Sequence, residues 1–152
     1  MTDTVVIHKG ALQKVSPFLW PSSLDLKLGL LHEDSTAAPT VDDEFVSDLI
    51  PASNEMDSAE YARATLASKT ATFNGTTDLW ELSSATVTFA ALTGGETLVP
   101  GISGYFLYAN VSGDDTLSIL IRTVVYDTVE DLNGSDYLVA PHSSGWLTVG
   151  QA

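Results

Sequence analysis

The stretch that most constrains the fold of this chain is "GYFLYANVSGDDTLSILIRTVVYD", residues 104–127. An aromatic and aliphatic run at 105–110 leads into "VSGDD", and a second apolar run returns over 116–126. Two such runs joined by residues that favour turns are typical of an antiparallel β-hairpin. The sequence therefore predicts a long hairpin whose polar turn end is exposed to solvent.

The second half of the return run is apolar on both faces. Period-two alternation gives one face with Leu117, Ile119, Ile121, Thr123 and Val125, and another with Leu120, Arg122, Val124 and Tyr126. Antiparallel sheets usually keep one face in water, so residues 120–126 need a second cover. We expect that cover to be another sheet layer, the N-terminal arm or a neighbouring subunit. Leu120, Arg122, Val124 and Tyr126 are therefore candidate interface residues.

Arg122 is a special position within this run. It is one of two arginines in a chain whose formal net charge is −14, and its neighbours are apolar. A buried charge without a partner is very costly. We therefore expect the guanidinium of Arg122 to be paired with a carboxylate.

Further short strands are indicated along the chain. "LDLKLGLLH" (24–32) alternates leucine with polar residues or glycine, and "SSATVTFAAL" (83–92) also alternates. Asn74-Gly75 is the signal of a two-residue hairpin. Seven to nine strands at close spacing predict an all-β fold, an antiparallel β-sandwich or a small barrel. We assign it to a single β domain over residues 24–152.

The first 23 residues are predicted to form an N-terminal arm. Pro17 and Pro21 bracket three large apolar residues, Phe18, Leu19 and Trp20. Proline at both ends prevents a long helix and favours an extended segment. These three side chains are expected either to cap the core of their own subunit or to dock on a neighbouring chain, so they are candidate interface residues as well.

Residues 33–57 form a long acidic segment with eight acids and no base. Pro39 and Pro51 divide it, and Asp42 or Asp43 is placed to cap a helical turn in "EFVSDLI". Long loops in small domains are usually functional or mobile. Two interpretations stay open, an interaction surface and a solvated, flexible loop.

The charge and composition of the chain exclude several classes of function. Six bases against 20 acids would repel a phosphate backbone, so nucleic-acid binding is not expected. The absence of cysteine excludes disulfides and thiolate metal sites. No signal peptide is predicted at the N-terminus, and no apolar run approaches the roughly 20 residues of a membrane-spanning helix.

The sequence contains no recognisable catalytic or cofactor motif. His142 precedes Ser143 and Ser144, but neighbouring residues of an extended chain point to opposite faces, which does not favour a triad. The carboxylate clusters at 42–44, 114–115 and 130–131 do not fit a calcium-binding loop. We therefore expect no enzyme activity, no cofactor and no metal.

The order of several short motifs resembles a family of small structural proteins of tailed-bacteriophage virions. Across residues 24–126 the sequence shows "LDLKLGLL", then "DEFVSDL", "EYARATLAS", "TTDLWEL" and a hairpin with "GDD" in its turn. The matching positions are Asp25, Lys27, Leu30, Phe45, Ser47, Asp48, Tyr61, Arg63, Asp78, Trp80, Gly113 and Asp114.

The resemblance implies a non-enzymatic capsid decoration (cement) protein. Such a protein would bridge subunits of the major capsid protein on the outer surface of the virion, as a homo-oligomer and most simply a trimer. A tail or head–tail connector subunit is the alternative within the same class. A carbohydrate-binding or host-adhesion module is the alternative of another class; its candidate contact residues are the aromatics Trp20, Trp80, Tyr105 and Tyr108.

Overall fold

The computed structural model describes residues 2–10, 15–17, 19–50, 54–93 and 101–150. Its strands are β1 (Thr4–Ile7), β2 (Leu26–His32), β3 (Ala64–Thr65), β4 (Thr70–Asn74), β5 (Leu79–Ser83), β6 (Val87–Phe89), β7 (Gly101–Ala109), β8 (Ile119–Asp131), β9 (Tyr137–Val139) and β10 (Leu147–Gly150). A single-turn helix, α1, spans Val46–Leu49.

The strands form three antiparallel sheets. The largest has the order β1-β8-β7-β2-β3, the second β10-β5-β4, and the third pairs β6 with β9. The predicted all-β fold is confirmed, with 44% of the residues in strands. The described residues contain ten strands rather than seven to nine, and their sheets are sandwich-like and do not close into a barrel.

The first core lies between the five-stranded sheet and the two smaller sheets. Alternate residues of β2, Leu26, Leu28 and Leu30, are fully buried there, as the leucine alternation predicts. The smaller sheets contribute apolar residues such as Leu82 and Phe89 to the same core. This packing accounts for one face of the central strands.

A second core covers the opposite face of the five-stranded sheet. It consists of Leu31, Val46, Leu49, Phe106, Tyr108 and Leu120. Val46 and Leu49 belong to α1, so the cover comes from the acidic segment 33–57. This segment was not among the three expected covers, since the sequence leaves open whether it is an interaction surface or a solvated, flexible loop. Its few apolar residues instead pack inward.

Backbone hydrogen bonds fasten the start of α1 to the hairpin. Val46 N donates to the carbonyl of Ser118, and Ser47 N donates to the carbonyl of Asp115. The predicted cap by Asp42 or Asp43 is wrong. Phe45 is the N-cap residue, and the carboxylate of Asp48 accepts hydrogen bonds from the backbone N–H of Phe45 and of its predecessor.

An irregularity in β8 changes which residues of this strand face each core. Leu107 pairs with Arg122, and the next residue of β7, Tyr108, pairs with Leu120. Ile121 is therefore an extra residue, a β-bulge that shifts the alternation. Leu120 lies in the second core, and Ile121 and Val124 lie in the first. The expected coverage of 120–126 on both faces is confirmed, but Leu120 and Val124 do not share a face.

The turns are longer than the sequence suggested in one place. Asn74 pairs with Leu79, so four residues rather than two connect β4 and β5. The side-chain oxygen of Asn74 accepts hydrogen bonds from the backbone N–H of Thr76 and Thr77, which stabilises this wider turn. The turn end of the long hairpin, residues 112–118, is mostly exposed as predicted, but Ser118 at its end is fully buried.

Candidate interaction groove

A groove lies where the edge of the five-stranded sheet meets the edge of the second sheet. It is lined by Val5 and Ile7 of β1, by Arg122 of β8 and by residues 144–148, which lead into β10. Its volume is about 420 Å³, and its lining is mainly apolar. We call it the Arg122 groove. It is large enough for side chains of a bound segment, since ligand sites commonly enclose about 300–1,000 Å³.

One side of the groove is formed by a strand at the edge of its sheet. Among the described strands, β1 pairs only with β8. The amide of His8 donates to the carbonyl of Ile121. Since hydrogen-bonded and non-hydrogen-bonded pairs alternate along an antiparallel ladder, Val5 and Ile7 direct their backbone N–H and C=O groups away from β8. These groups form the free edge.

Arg122 is the cationic group of the groove. Its Nη1 donates to the backbone carbonyl of Trp146 at 2.8 Å. Its Nε is buried and meets no acceptor among the described residues. The expected carboxylate partner was therefore wrong for the part of the chain that the structure describes. The guanidinium instead links the two layers through a main-chain carbonyl.

The remaining candidate interface residues belong mostly to the cores of their own chain. Leu120 and Val124 are buried, and Tyr126 is half-buried with its hydroxyl 2.8 Å from that of Tyr137. Trp20 is fully buried. Of the six candidates that the structure describes, only Arg122 lines the groove.

Trp20 caps its own core, one of the two outcomes considered for the N-terminal arm. Its indole Nε1 donates to the carbonyl of Ser83 at 2.9 Å. The segment around it is wound into turns rather than extended, because Leu19 and Trp20 both donate their amides to the carbonyl of Ser16. Leu19 is exposed. Phe18 lies outside the described residues.

Sequence reasoning missed an ionic cluster centred on the other arginine, Arg63. Its guanidinium donates through Nε and Nη2 to Glu55 at 2.7 Å each, and through Nη1 and Nη2 to Asp115 at 2.5 and 2.8 Å. Nη1 also lies 3.3 Å from the hydroxyl of Tyr108. Burial opposes the charge, but the bonds to Glu55 and Asp115 outweigh it and raise the pKa of Arg63.

The Arg63 cluster closes over the second core. The guanidinium carbon of Arg63 lies 5.4 Å from the ring centroid of Phe106 and 5.2 Å from that of Tyr108, within the range of a cation–π interaction. The rarity of arginine in an acidic chain was the one available signal. The same reasoning that singled out Arg122 would have singled out Arg63.

Several residues that carry the resemblance meet at this cluster. Tyr61 donates its hydroxyl to Glu55 at 2.7 Å and accepts from the amide of Leu30 at 3.1 Å. Arg63 and the amide of Ser47 both donate to Asp115, the residue that follows the "GD" of the turn. The motif in β5 lies in a different sheet. These residues thus mainly hold the acidic segment onto the central strands.

Other chemically notable groups were located as well. His142 Nδ1 lies 3.0 Å from the hydroxyl of Ser144 in an exposed turn. Among the described residues, no three His, Asp or Glu side chains are grouped closely enough to hold a metal ion.

No helix in the described part of the chain has the length and apolar character needed to cross a bilayer.

Comparison with known proteins adds no relative. No protein-family model, curated protein or solved structure matches the chain. The resemblance to virion proteins therefore rests on the motifs alone.

Proposed function

We propose that this chain is a non-enzymatic structural protein of a tailed-bacteriophage virion, acting as a decoration protein on the outer capsid. The observation that carries the proposal is an open sheet edge beside an apolar groove, on a small acidic β domain whose two sheet faces are already covered. An edge of this kind can join one subunit to another through backbone hydrogen bonds. The order of the motifs across residues 24–126 points to the same class of protein.

The net charge suggests how such a protein meets its partner. With a charge of −14, the domain is attracted to electropositive surfaces of a major capsid protein and repelled by packaged DNA. Several copies, most simply three, would sit at equivalent positions of the shell. Each would bridge neighbouring capsid subunits and hold them against internal pressure.

The copy number of the chain in purified virions tests this proposal. Quantitative mass spectrometry against the major capsid protein should give hundreds of copies per particle. Six or twelve copies would favour a connector subunit instead. Absence from the particle would refute a virion role.

The carbohydrate-binding alternative has less support. Three of the four aromatic residues considered for it are buried, namely Trp20, Tyr105 and Tyr108. Trp80 packs on Phe73 with ring centroids 5.6 Å apart, and only the Phe73 side chain of this pair is well exposed. Glycan-array binding by the isolated chain would nevertheless revive that alternative.

A further inference from the structure

We propose that the Arg122 groove is a strand-addition site, which takes an extended segment of a different protein that carries a carboxylate. The segment would pair with the free edge of β1 and place alternate side chains in the groove. One of them, or a terminal carboxylate, would bind Arg122.

The backbone of β1 supports the first part of this proposal. Among the described residues, no strand pairs with the outward-facing N–H and C=O groups of Val5 and Ile7. Natural edge strands are commonly protected by short length, proline, inward-pointing charge or a bulge. β1 is short, at four residues, but "TVVI" contains no proline or charge and its register with β8 is regular. The Val5 residue is 48% exposed, although valine is usually buried in proteins.

The side chains of the groove support the second part. A strand added beside β1 would direct alternate side chains toward the layer that contains Trp146 and Leu147. That space is apolar except for the guanidinium of Arg122 and the hydroxyls of Ser144 and Thr148. The guanidinium of Arg122 lines this space, and its Nη1 donates to the carbonyl of Trp146. A carboxylate in the groove would offer this cation further acceptors, and arginine binds carboxylates with two parallel hydrogen bonds.

Charge argues that the occupant belongs to another protein rather than to a second copy. Each copy carries −14, so a second copy gains no charge attraction at this edge, and the proposed trimer would be held through the capsid subunits that its copies bridge. A segment with one carboxylate between apolar or β-branched residues meets the groove's chemistry without adding a large negative charge. Strand addition at β1 does not require the partner to be a capsid protein. The copy number in virions therefore does not test it, and a failure of one proposal can be distinguished from a failure of the other.

A displayed library of random hexapeptides, selected on the full folded chain, provides the probe. We expect enriched peptides to alternate apolar or β-branched residues with one Asp or Glu, or to end in a free carboxylate. The affinity of an enriched peptide is then measured by calorimetry for the unmodified chain and its variants. A selection that enriches no peptide, or enriches only peptides without a carboxylate, overturns the proposal.

Two variants separate the backbone from the charge. Val5→Pro removes an outward-facing amide and spares the pairing with β8, and Val5→Thr is its matched control because it keeps that amide. We expect Val5→Pro and Arg122→Gln each to weaken binding about tenfold or more, the scale of one lost hydrogen bond to a buried or charged partner. Val5→Thr should change it little. Unchanged affinity in Val5→Pro and Arg122→Gln refutes strand addition.

A measurement on the unmodified chain guards against variants that fold poorly. Amide hydrogen exchange with and without the enriched peptide should show new protection at Val5 and Ile7. Binding without protection there places the peptide elsewhere and contradicts the proposal. Self-association of the chain that Val5→Pro abolishes would assign the edge to a second copy, which also contradicts it.

Discussion

Replacement of Arg63 by alanine should be among the most damaging single changes to this fold. Its guanidinium has five N–H donors. The five hydrogen bonds to Glu55, Asp115 and Tyr108 account for all of them. Arg63→Ala leaves two partly buried carboxylates facing each other and removes the cation above the rings of the second core. The acidic segment would lose its main ionic contact with the hairpin.

The expected loss of stability follows from how exposed these groups are. The side chains of Arg63, Glu55 and Asp115 are 21%, 17% and 35% exposed. Breaking a fully buried pair costs about 3–5 kcal/mol, and an exposed pair contributes about 0–1 kcal/mol. The cluster lies nearer the buried limit, so Arg63→Ala should lower the free energy of unfolding by about 2–4 kcal/mol.

Urea denaturation followed by tryptophan fluorescence measures this change from the shift of the midpoint. The control is Lys9→Ala, which removes the same charge from an exposed pair whose Nζ–Oδ1 distance to Asp42 is 4.0 Å. It should change the free energy by about 0.5 kcal/mol or less. Combining Arg63→Met with neutral Gln and Asn at positions 55 and 115 should recover much of the loss. Equal effects of Arg63→Ala and Lys9→Ala would refute this reasoning.

Three further changes test the packing and the buried titratable groups. A Cβ on Gly29 would lie 2.2 Å from Cζ of Phe106, so Gly29→Ala should lower the free energy of unfolding by about 1–3 kcal/mol, as measured by thermal denaturation. The control is Gly75→Ala, because a Cβ there would have nothing within 4 Å. Equal losses of stability in the two variants would contradict the packing of Gly29 against Phe106. Burial raises the pKa of Tyr126 from 10.0 to about 12, so the folded chain keeps a proton that the unfolded chain releases. The free energy of unfolding should therefore fall as the pH rises from 10 to 12. If Tyr126→Phe loses stability with pH as steeply as the unmodified chain, this prediction is wrong. Burial lowers the pKa of His8 below 6.5, so the unfolded chain binds the extra proton. The free energy of unfolding should therefore fall as the pH drops below 6.5. In His8→Gln, denaturation should show a weaker dependence of this free energy on pH. The same pH dependence in both proteins would contradict the role of His8.

The sheets were predictable where the pattern is local. The leucines of β2 show the expected alternation, with Leu26, Leu28 and Leu30 in the first core. The bulge at Ile121 was not predictable, since it is defined only by how β8 pairs with β7. That single extra residue moved Leu120 and Val124 to different faces.

The candidate site was predictable only in part. Arg122 stands out in the sequence because arginine is rare, but its partner is a backbone carbonyl 24 residues further along the chain. Every residue has a backbone carbonyl, so the sequence does not show which one accepts a hydrogen bond. The acidic composition therefore favoured a carboxylate as the partner. Arg63 binds carboxylates that lie 8 and 52 residues away in sequence. Neither separation is a local spacing that periodicity can detect.

The coverage of both sheet faces determines which surfaces remain for a partner. The second face of β7 and β8, which the sequence left open for a neighbouring subunit, is occupied by α1 and the Arg63 cluster. Exposed apolar side chains elsewhere, such as Val41 and Leu138, belong to different segments of the chain and are of the isolated kind common on protein surfaces. Among the described residues, the edge of β1 combines outward-facing backbone groups with an apolar groove and an arginine. The proposed partner would pair in register with β1, so its affinity should depend more on the amide of Val5 than on the side chain there.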